Sequence, residues 1–301
     1  MAGSATYALD AINGDFDLNT GGMVFEHQDS VLELKNSSNA NDRTITLTAA
    51  LDPGNDQFGI VNLTTDTNKL TIDNNGNAAY TLGTVNHRLK QLTFSSIGNG
   101  AIALNVGINV ENIALNVNDI ELGVVNANVL FNKNTTYTAT GDINGNVDFQ
   151  GNAGVINLAN SVTIDGSVTS TGNVNGTLNW GGAGEVTGLI TNIAMLKAGA
   201  GDVSLSAGGN YSITEIQGNG NNDLTFAANS NLTGGINTSG GQALNLVFTN
   251  GGSVSGSVGS NAAVGDIMVQ AGTVNFGSTV KAVMLSYRTV LRCRLIISNC
   301  Y

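Results

Sequence analysis

The sequence predicts an all-β protein, a right-handed parallel β-helix (a solenoid) with coils of about 22 residues. Glycine (40) and asparagine (43) supply more than a quarter of the 301 residues, and both are poor helix formers that suit tight corners. Charged residues make up only 11% and hydrophobic residues 41%, so the chain has enough apolar surface for a core. A strand–turn–strand motif also recurs along the chain, which indicates stacked repeats.

This motif, L-x-[FW]-x5-[LV]-[ST]-G-x-[IV], occurs three times with the same internal spacing. The copies begin at Leu178, Leu224 and Leu246, 46 and 22 residues apart, which we interpret as two coil periods and one. Alternate residues of a strand share a face, so the apolar positions of each copy are predicted to point inward. The glycine near the end of the motif allows close packing or a bend. A looser copy spans Val147–Val168, and another begins at Val274.

One repeat cannot bury its apolar face alone, so the next coil is expected to stack about 4.8 Å away. About thirteen coils fit in residues 1–280, giving a rod on the order of 60 Å long. The first half has similar strands with a less regular period. At most one or two helical turns are expected, around Ile193–Lys197. The remaining strand runs are Ile45–Leu47, Leu70–Ile72, Tyr80–Leu82, Ile102–Val110 and Ile113–Val117, and the predicted turns are Asn13-Gly14, Asn75-Gly76, Asn144-Gly145, Asn175-Gly176 and Asn250-Gly251.

The composition changes near residue 280. Residues 1–280 carry seven basic and 22 acidic residues, whereas residues 281–301 carry four basic residues, no acidic residue and no glycine. Both cysteines, Cys293 and Cys300, lie in this tail. We therefore predict a β-helical repeat region over 1–280 and an atypical basic tail over 281–301, which we interpret as out-of-frame sequence. The alternatives are an amphipathic membrane-surface anchor and a Cys293–Cys300 disulfide.

The charge of the chain limits its partners. A net charge of −11 repels the phosphate backbone of nucleic acids and anionic membranes, so we expect neither as a partner. No run of 18 apolar residues predicts a membrane-spanning helix. The N-terminus lacks the basic and apolar regions of a secretory signal, so no signal peptide is expected in this chain.

Residues that carry chemistry are sparse. The two histidines, His27 and His87, are far apart, and His87-Arg88 is expected to be solvated, with a polar cluster as the alternative. Motifs of zinc proteases, serine hydrolases and phosphate-binding loops are absent. The glycine-rich residues 181–184 precede no helix and predict a turn. We therefore assign no catalytic, cofactor-binding or metal site, and we expect no small-molecule substrate.

Two calcium-like spacings favour ordinary strands and turns. One set of side chains has the spacing of EF-hand positions 1, 3, 5 and 12, but Thr20 stands where glycine is required. Because Phe16 and Leu18 alternate with the acids, we expect a half-buried strand with a polar face. A second hint, from Gly218 to Asp223, departs from the calcium-binding nonapeptide spacing. The EF-hand-like residues are Asp15, Asp17, Asn19 and Glu26.

The main alternative to a non-enzymatic protein is a β-helix enzyme that degrades polysaccharides, or a phage tailspike-like protein. Such enzymes place carboxylates and basic residues together on one face. This sequence has no Asp-Asp pair, and Arg43 and Arg88 are the arginines before the tail. We therefore expect scattered acids and no enzymatic activity.

The segment GDINGNVDFQGNAGVINLANSVTIDGSV (Gly141–Val168), with LTFAANSNLTGGI and GTVNFGSTVKA, resembles the passenger regions of rickettsial surface-antigen autotransporters of the outer membrane protein A and B type. The resemblance is best over residues 130–282. It implies a β-helical passenger exported through a C-terminal barrel to the cell surface or outer membrane, or secreted. The cysteine-free body suits export of an unfolded chain through a pore.

The resemblance further implies a structural surface-layer or host-cell adhesion role, and hence a host cell-surface protein or self-association as the partner. No cofactor is implied. The sequence departs from the family at both ends: it shows no signal peptide and no barrel, and its last repeat stops at Phe276–Val280. We therefore interpret the chain as a truncated passenger fragment, and we expect its uncapped last coil, an exposed edge, to favour aggregation.

Overall fold

A computed structural model describes residues 4–38, 40–287 and 296–297. The regular secondary structure of these residues consists of β-strands. None of these residues belongs to a helix long and apolar enough to cross a membrane. The chain divides into two compact units, residues 1–136 and residues 137–301. In each unit, parallel strands stack coil upon coil, and the predicted all-β parallel solenoid is confirmed.

Twelve of the thirteen described strands of the first unit form three parallel sheets, and the remaining strand, Asp119–Leu122, lies outside them. Their bounds are β1 (Thr6–Asp10), β2 (Phe16–Leu18), β3 (Val31–Asn36), β4 (Arg43–Leu47), β5 (Phe58–Thr65), β6 (Leu70–Asp73), β7 (Thr81–Leu82), β8 (Leu89–Ser96), β9 (Ile102–Asn105), β10 (Gly107–Ile108), β11 (Val110–Asn116), β12 (Asp119–Leu122) and β13 (Asn128–Phe131). The strand orders are β1-β3-β5-β8-β11-β13, β2-β4-β6-β9 and β7-β10.

Coil length varies widely in the first unit. Along its longest sheet, the shortest step joins Asn112 to Asn128, whereas the step from Ile60 to Gln91 is almost twice as long. Inward side chains nevertheless stay in register from coil to coil. One continuous core column, fully buried at each position, contains Leu34, Leu63, Phe94, Leu115 and Phe131. The coils therefore differ in their connections and not in their core positions.

The strands of the second unit also form three parallel sheets. Their bounds are β14 (Thr136–Ala139), β15 (Val147–Asp148), β16 (Val155–Leu158), β17 (Val162–Ile164), β18 (Val168–Thr169), β19 (Asn175–Trp180), β20 (Gly184–Val186), β21 (Ile190–Thr191), β22 (Ile193–Ala198), β23 (Val203–Leu205), β24 (Gly209–Gly218), β25 (Asn222–Phe226), β26 (Ser230–Thr238), β27 (Leu244–Phe248), β28 (Gly252–Val254), β29 (Val264–Val269), β30 (Val274–Phe276), β31 (Ala282–Tyr287) and β32 (Ile296–Ile297). The strand orders are β14-β16-β19-β22-β24-β26-β28-β30-β32, β17-β20-β23-β25-β27-β29-β31 and β15-β18-β21.

Coil length is nearly constant in the second unit. The paired residues Asn157 and Asn179 are 22 positions apart in the sequence, which is the longest step between paired residues of successive coils in this unit. The shortest steps, such as that from Val264 to Ala282, are only slightly smaller. The coil length predicted from the motif is therefore confirmed here. Stacking of nearly equal coils also places like side chains on one another: the rings of Phe226 and Phe248 stack at 4.9 Å with an interplanar angle of 7°.

The glycine of the repeat motif lies where the backbones of successive coils meet. The N–H of Gly256 donates to the carbonyl oxygen of Gly234 at 3.0 Å, and a Cβ on Gly256 would lie 2.3 Å from that oxygen. Gly188 lies on Gly166 in the same way, with an N···O distance of 3.1 Å. No side chain fits in this space, which explains why the motif requires glycine.

The prediction that the motif copies at Leu178 and Leu224 are two coil periods apart was wrong. Leu178 lies in β19, whereas the equivalent Leu224 lies in β25, in a different sheet. The residue in register with Phe226, through Leu205, is instead Val186. The spacing between these two copies is therefore not two coil periods. Its cause is geometric, since a strand–turn–strand motif fits the junction between either pair of adjacent sheets.

Two local predictions were also wrong. Residues 193–197 form strand β22 and not a helical turn, because Ile193 and Leu196 are buried in a sheet between β19 and β24. Asn175-Gly176 lies within strand β19 and is not a turn between strands. Gly176 has φ +81° and packs on the ring of Phe149, where a Cβ would come within 2.5 Å. It therefore bends the strand over an aromatic side chain.

The basic tail predicted over residues 281–301 contains strand β31 near its start. Its residues pair with β29, for example Leu285 with Ile267, and Val283 is 74% exposed. Residues 288–295 and 298–301, with Cys293 and Cys300, lie outside the described residues. The division at residue 280 and the out-of-frame interpretation stay predictions.

Candidate functional site

Charged side chains from several coils of the first unit form one group of ion pairs, here called the ion-pair group. Its carboxylates belong to the loops before β3 and β5 and to β11, and its basic residues stand at or near the start of β8, with one histidine in the loop before β3. The members are His27, Asp29, Asp52, Asp56, His87, Arg88, Lys90 and Glu111.

Arg88 is bound by two carboxylates. Its Nε and Nη2 donate to the two oxygens of Asp56, each at 3.2 Å, and its Nη1 lies 2.5 Å from Glu111 Oε2. These bonds favour the charged forms of both partners, so the Arg88 side chain lowers the pKa of Asp56 and Asp56 raises the pKa of Arg88. The backbone N–H of Arg88 also donates to Asp56, which fixes the loop before β5 to the start of β8.

The two histidines lie in separate pairs. His87 Nδ1 is 2.9 Å from Asp52 Oδ1, and the pKa of Asp52 is lowered by the backbone N–H of Gly54 and then by His87. His27 is 3.8 Å from Asp29, whose pKa is lowered by its hydrogen bond to Lys90. His87 and Arg88 both stand in the loop before β8, and both also form ion pairs, the polar cluster that the sequence offered as the alternative to solvated residues. Their side chains stay 39% exposed.

The ion-pair group has a structural role, because it connects loops of the first unit to strands of other coils. Each carboxylate already faces a cation or a backbone N–H, and three of the pairs, Arg88–Asp56, His87–Asp52 and Lys90–Asp29, join residues 32 to 61 positions apart. Such half-exposed pairs stabilise the protein only weakly one by one, because solvent screens them. Their combined effect is to hold the long loops of the first unit against neighbouring coils.

The EF-hand-like side chains serve the fold. Asp15 Oδ1 accepts a hydrogen bond from the Thr44 N–H at 2.9 Å, and Asn19 Oδ1 accepts one from the Gly21 N–H. Asp17 is exposed on strand β2, so the predicted half-buried strand is confirmed over Phe16–Leu18. Within residues 4–38, 40–287 and 296–297, no three His, Cys, Asp or Glu side chains group to hold a metal ion.

Polar ladders run along the outer face of the second unit. Asn231 Nδ2 donates to Asn210 Oδ1 at 3.1 Å, and Ser253 Oγ donates to Asn231 Oδ1 at 2.9 Å, each one coil apart. Asp223, from the nonapeptide-like segment, belongs to a similar ladder and accepts from Asn245 Nδ2 at 2.8 Å. These ladders, which include stacked asparagines, give this unit an ordered polar surface.

An apolar cavity of about 340 Å³ opens beside the first coil of the first unit. Tyr7, Val24, Phe25 and Leu32 line it, together with the polar side chains of Glu26 and Ser30. This cavity could not be predicted from the sequence, because its walls come from two coils and a loop without a shared motif.

Comparison with known proteins gives a consistent result. No protein-family model and no solved structure matches the chain. The chain is 46% identical over 281 residues, 92% of its length, to the protein named outer membrane protein A of Rickettsia rickettsii, and equally to the protein of that name of Rickettsia conorii. It spans only 12% and 14% of the lengths of these two proteins. The resemblance of the chain to rickettsial outer membrane surface proteins is therefore confirmed over nearly its whole length.

Proposed function

We propose that the chain is a segment of a bacterial cell-surface antigen, located at the outer membrane. The observation that supports this most is the 46% identity over 92% of the chain to proteins named outer membrane protein A. A stack of parallel coils suits this location, because each coil contacts only its neighbours and adds its own side chains to one ordered surface.

We further propose that the segment acts without enzymatic activity, as part of a passenger that forms a surface layer or adheres to host cells. The paired carboxylates of the first unit and the hydrogen-bonded ladders of the second unit support this role. Both arrangements commit polar side chains to holding the surface in place. Adhesion would then use an extended polar face rather than an enclosed pocket.

Surface location is tested with antibodies raised against the purified chain. We expect them to label intact bacteria, and external protease to remove the label while a cytoplasmic marker stays intact. Labelling that appears only after the cells are permeabilised would contradict the surface location.

Adhesion is tested with beads that carry the purified chain, added to cultured host cells. We expect more bound beads than with an albumin coat, and the same beads after heat denaturation serve as the matched control. Equal binding of folded, denatured and albumin-coated beads would remove adhesion and leave the surface-layer role. Release of reducing ends from bacterial or host polysaccharides would contradict the non-enzymatic role.

A further inference from the structure

Six asparagine–glycine pairs lie within residues 40–287. This dipeptide is prone to deamidation, because glycine has no Cβ to shield its backbone nitrogen from the preceding side chain. For that nitrogen to reach the asparagine Cγ, the backbone between the two residues has to rotate. Packing of the glycine against another coil therefore protects a pair. The asparagines of the pairs are Asn75, Asn99, Asn144, Asn175, Asn219 and Asn250.

In five of these pairs the glycine packs against a neighbouring coil. At each contact, a Cβ added to a glycine would lie within 2.8 Å of an atom of the other residue. Rotation of the backbone in these pairs would thus require two coils to separate. The packed glycines are Gly100, Gly145, Gly176, Gly220 and Gly251, and the residues that they contact are, in the same order, Asn68, Gly166, Phe149, Gly199 and Thr273.

The glycine of the pair Asn75–Gly76 has an open environment. The pair lies in the turn between β6 and β7, where residues 75–79 are exposed. Apart from its chain neighbours, no described atom lies within 4 Å of the Cβ position of Gly76. The N–H of Gly76 donates to Asn74 Oδ1 at 3.1 Å, and the N–H of Asn75 donates to Asp73 Oδ2 at 2.9 Å. Both bonds are local, so the turn can open without separating two coils.

The pair Asn250–Gly251 isolates the effect of packing. Both Asn75 and Asn250 are exposed, and both glycines have a left-handed backbone, with φ of +76° for Gly76 and +70° for Gly251. Gly251, however, is buried, and a Cβ on Gly272 would lie 3.0 Å from the Gly251 nitrogen. The attacking nitrogen is therefore covered by another coil in one pair, and only by a side chain of its own turn in the other.

We propose that Asn75 is a deamidation site that reacts while the fold stays intact. The Gly76 nitrogen attacks Asn75 Cγ and forms a cyclic imide, and the Cγ–Nδ2 bond breaks, so that ammonia leaves with the proton of the Gly76 N–H. Water then opens the imide at either carbonyl and gives aspartate or isoaspartate. Either product adds a carboxylate close to Asp73, in a chain whose net charge is already −11. This modification does not depend on the surface function proposed above.

Peptide mapping by mass spectrometry tests the proposal on the whole chain, held at mildly alkaline pH. The same chain in guanidinium chloride gives the rate of each pair without structure. We expect Asn75 to deamidate in the folded chain within about tenfold of its unfolded rate, and the other pairs of residues 40–287 to be slowed about a hundredfold or more, because they react only after local unfolding. Protection of Asn75 as strong as that of Asn250 overturns the proposal.

Isoelectric focusing of variants tests the site by its charge. The background carries Asn13→Ser, which removes the asparagine–glycine pair outside residues 40–287. In this background, Asn75→Ser should abolish the main acidic isoform that forms during incubation, because serine has no side-chain carbonyl to be attacked. Asn250→Ser is the matched control and should leave that isoform unchanged. An acidic isoform that persists in Asn75→Ser, or that disappears in Asn250→Ser, contradicts the assignment.

Discussion

Both units consist of stacked parallel coils, but different interactions stabilise the stacking in each unit. In the first unit, the step between paired residues changes from coil to coil, and long loops are fastened by ion pairs such as Arg88–Asp56. In the second unit, the step is nearly constant, and like side chains stack as in Phe226–Phe248. Among the described residues, the ion pairs all lie in the first unit.

This difference shows what a regular number of residues per coil contributes to a solenoid. Equal coils place each side chain above its own equivalent, so neutral ladders and ring stacks form without separate partners. Unequal coils displace the loops, and each loop then needs a specific contact with a neighbouring coil. We therefore expect packing defects to be most costly in the second unit and acid to act mainly on the first.

The largest expected effect is the loss of an aromatic ring from the stacked column. Phe226→Ala should lower the free energy of unfolding of the second unit by about 3–5 kcal/mol. Phe94→Ala in the first unit is the matched variant, since Phe94 is equally buried but lies between Leu63 and Leu115. It should cost about 1 kcal/mol less, because no ring stack is lost. Urea unfolding measures both, and a larger loss for Phe94→Ala would contradict the comparison.

Next in size is the effect of a methyl group between stacked backbones. Gly256→Ala should destabilise the second unit by about 3 kcal/mol, because the new Cβ would lie 2.3 Å from the Gly234 oxygen. Gly240→Ala is the control, since no atom lies within 4 Å of its Cβ position. The fluorescence of Trp180, the single tryptophan and buried in this unit, reports the transition. Equal midpoints for the two variants would contradict close stacking.

Alkaline pH should act on the second unit through Tyr211. Burial raises the pKa of Tyr211 to about 12 from its ordinary value of 10.0, despite its hydrogen bond to the Ala207 carbonyl. Its contribution is therefore complete below pH 10 and is lost as the pH rises towards 12, by about 2 kcal/mol. Urea midpoints measured between pH 8 and 12 should fall less for Tyr211→Phe. An unchanged slope in that variant would count against this cause.

Acid should have the smallest effect, confined to the first unit. The folded-state pKa of Asp56 lies below 3.8, so its stabilisation is present above about pH 4 and is lost as the pH falls through the folded-state value. Solvent screening limits it to about 0.5 kcal/mol. Asp56→Asn should flatten the acid limb of the unfolding curve, whereas Asp17→Asn, at an exposed position, should not. Identical curves for both variants would contradict the role of the Arg88 pair.

The regular unit was the easier one to predict from sequence. Its inward positions, such as Leu232 and Ile236, follow from alternation and are buried as expected. The wrong spacing in coil periods from Leu178 to Leu224 arose because a local motif does not indicate which pair of sheets it connects. The helical turn expected at residues 193–197 failed for a related reason, since burial between two strands decided that segment.

The ion-pair group could not be predicted in the same way. Lys90 and Asp29 are 61 residues apart, and His87 and Asp52 are 35 apart, with coils of unequal length between them. No fixed period relates such residues, so their meeting depends on the loop conformations.

The measurement that tests this account most directly is a disulfide between successive coils. Thr169 and Thr191 are paired on β18 and β21, with their hydroxyl oxygens 3.0 Å apart. In a chain with Cys293→Ser and Cys300→Ser, the Thr169→Cys/Thr191→Cys pair should form an intramolecular disulfide on mild oxidation, since stacked strands lie about 4.8 Å apart. Thr169→Cys/Ser204→Cys, on different sheets, should not. Oxidation of the second pair but not the first would contradict the stacked-coil fold.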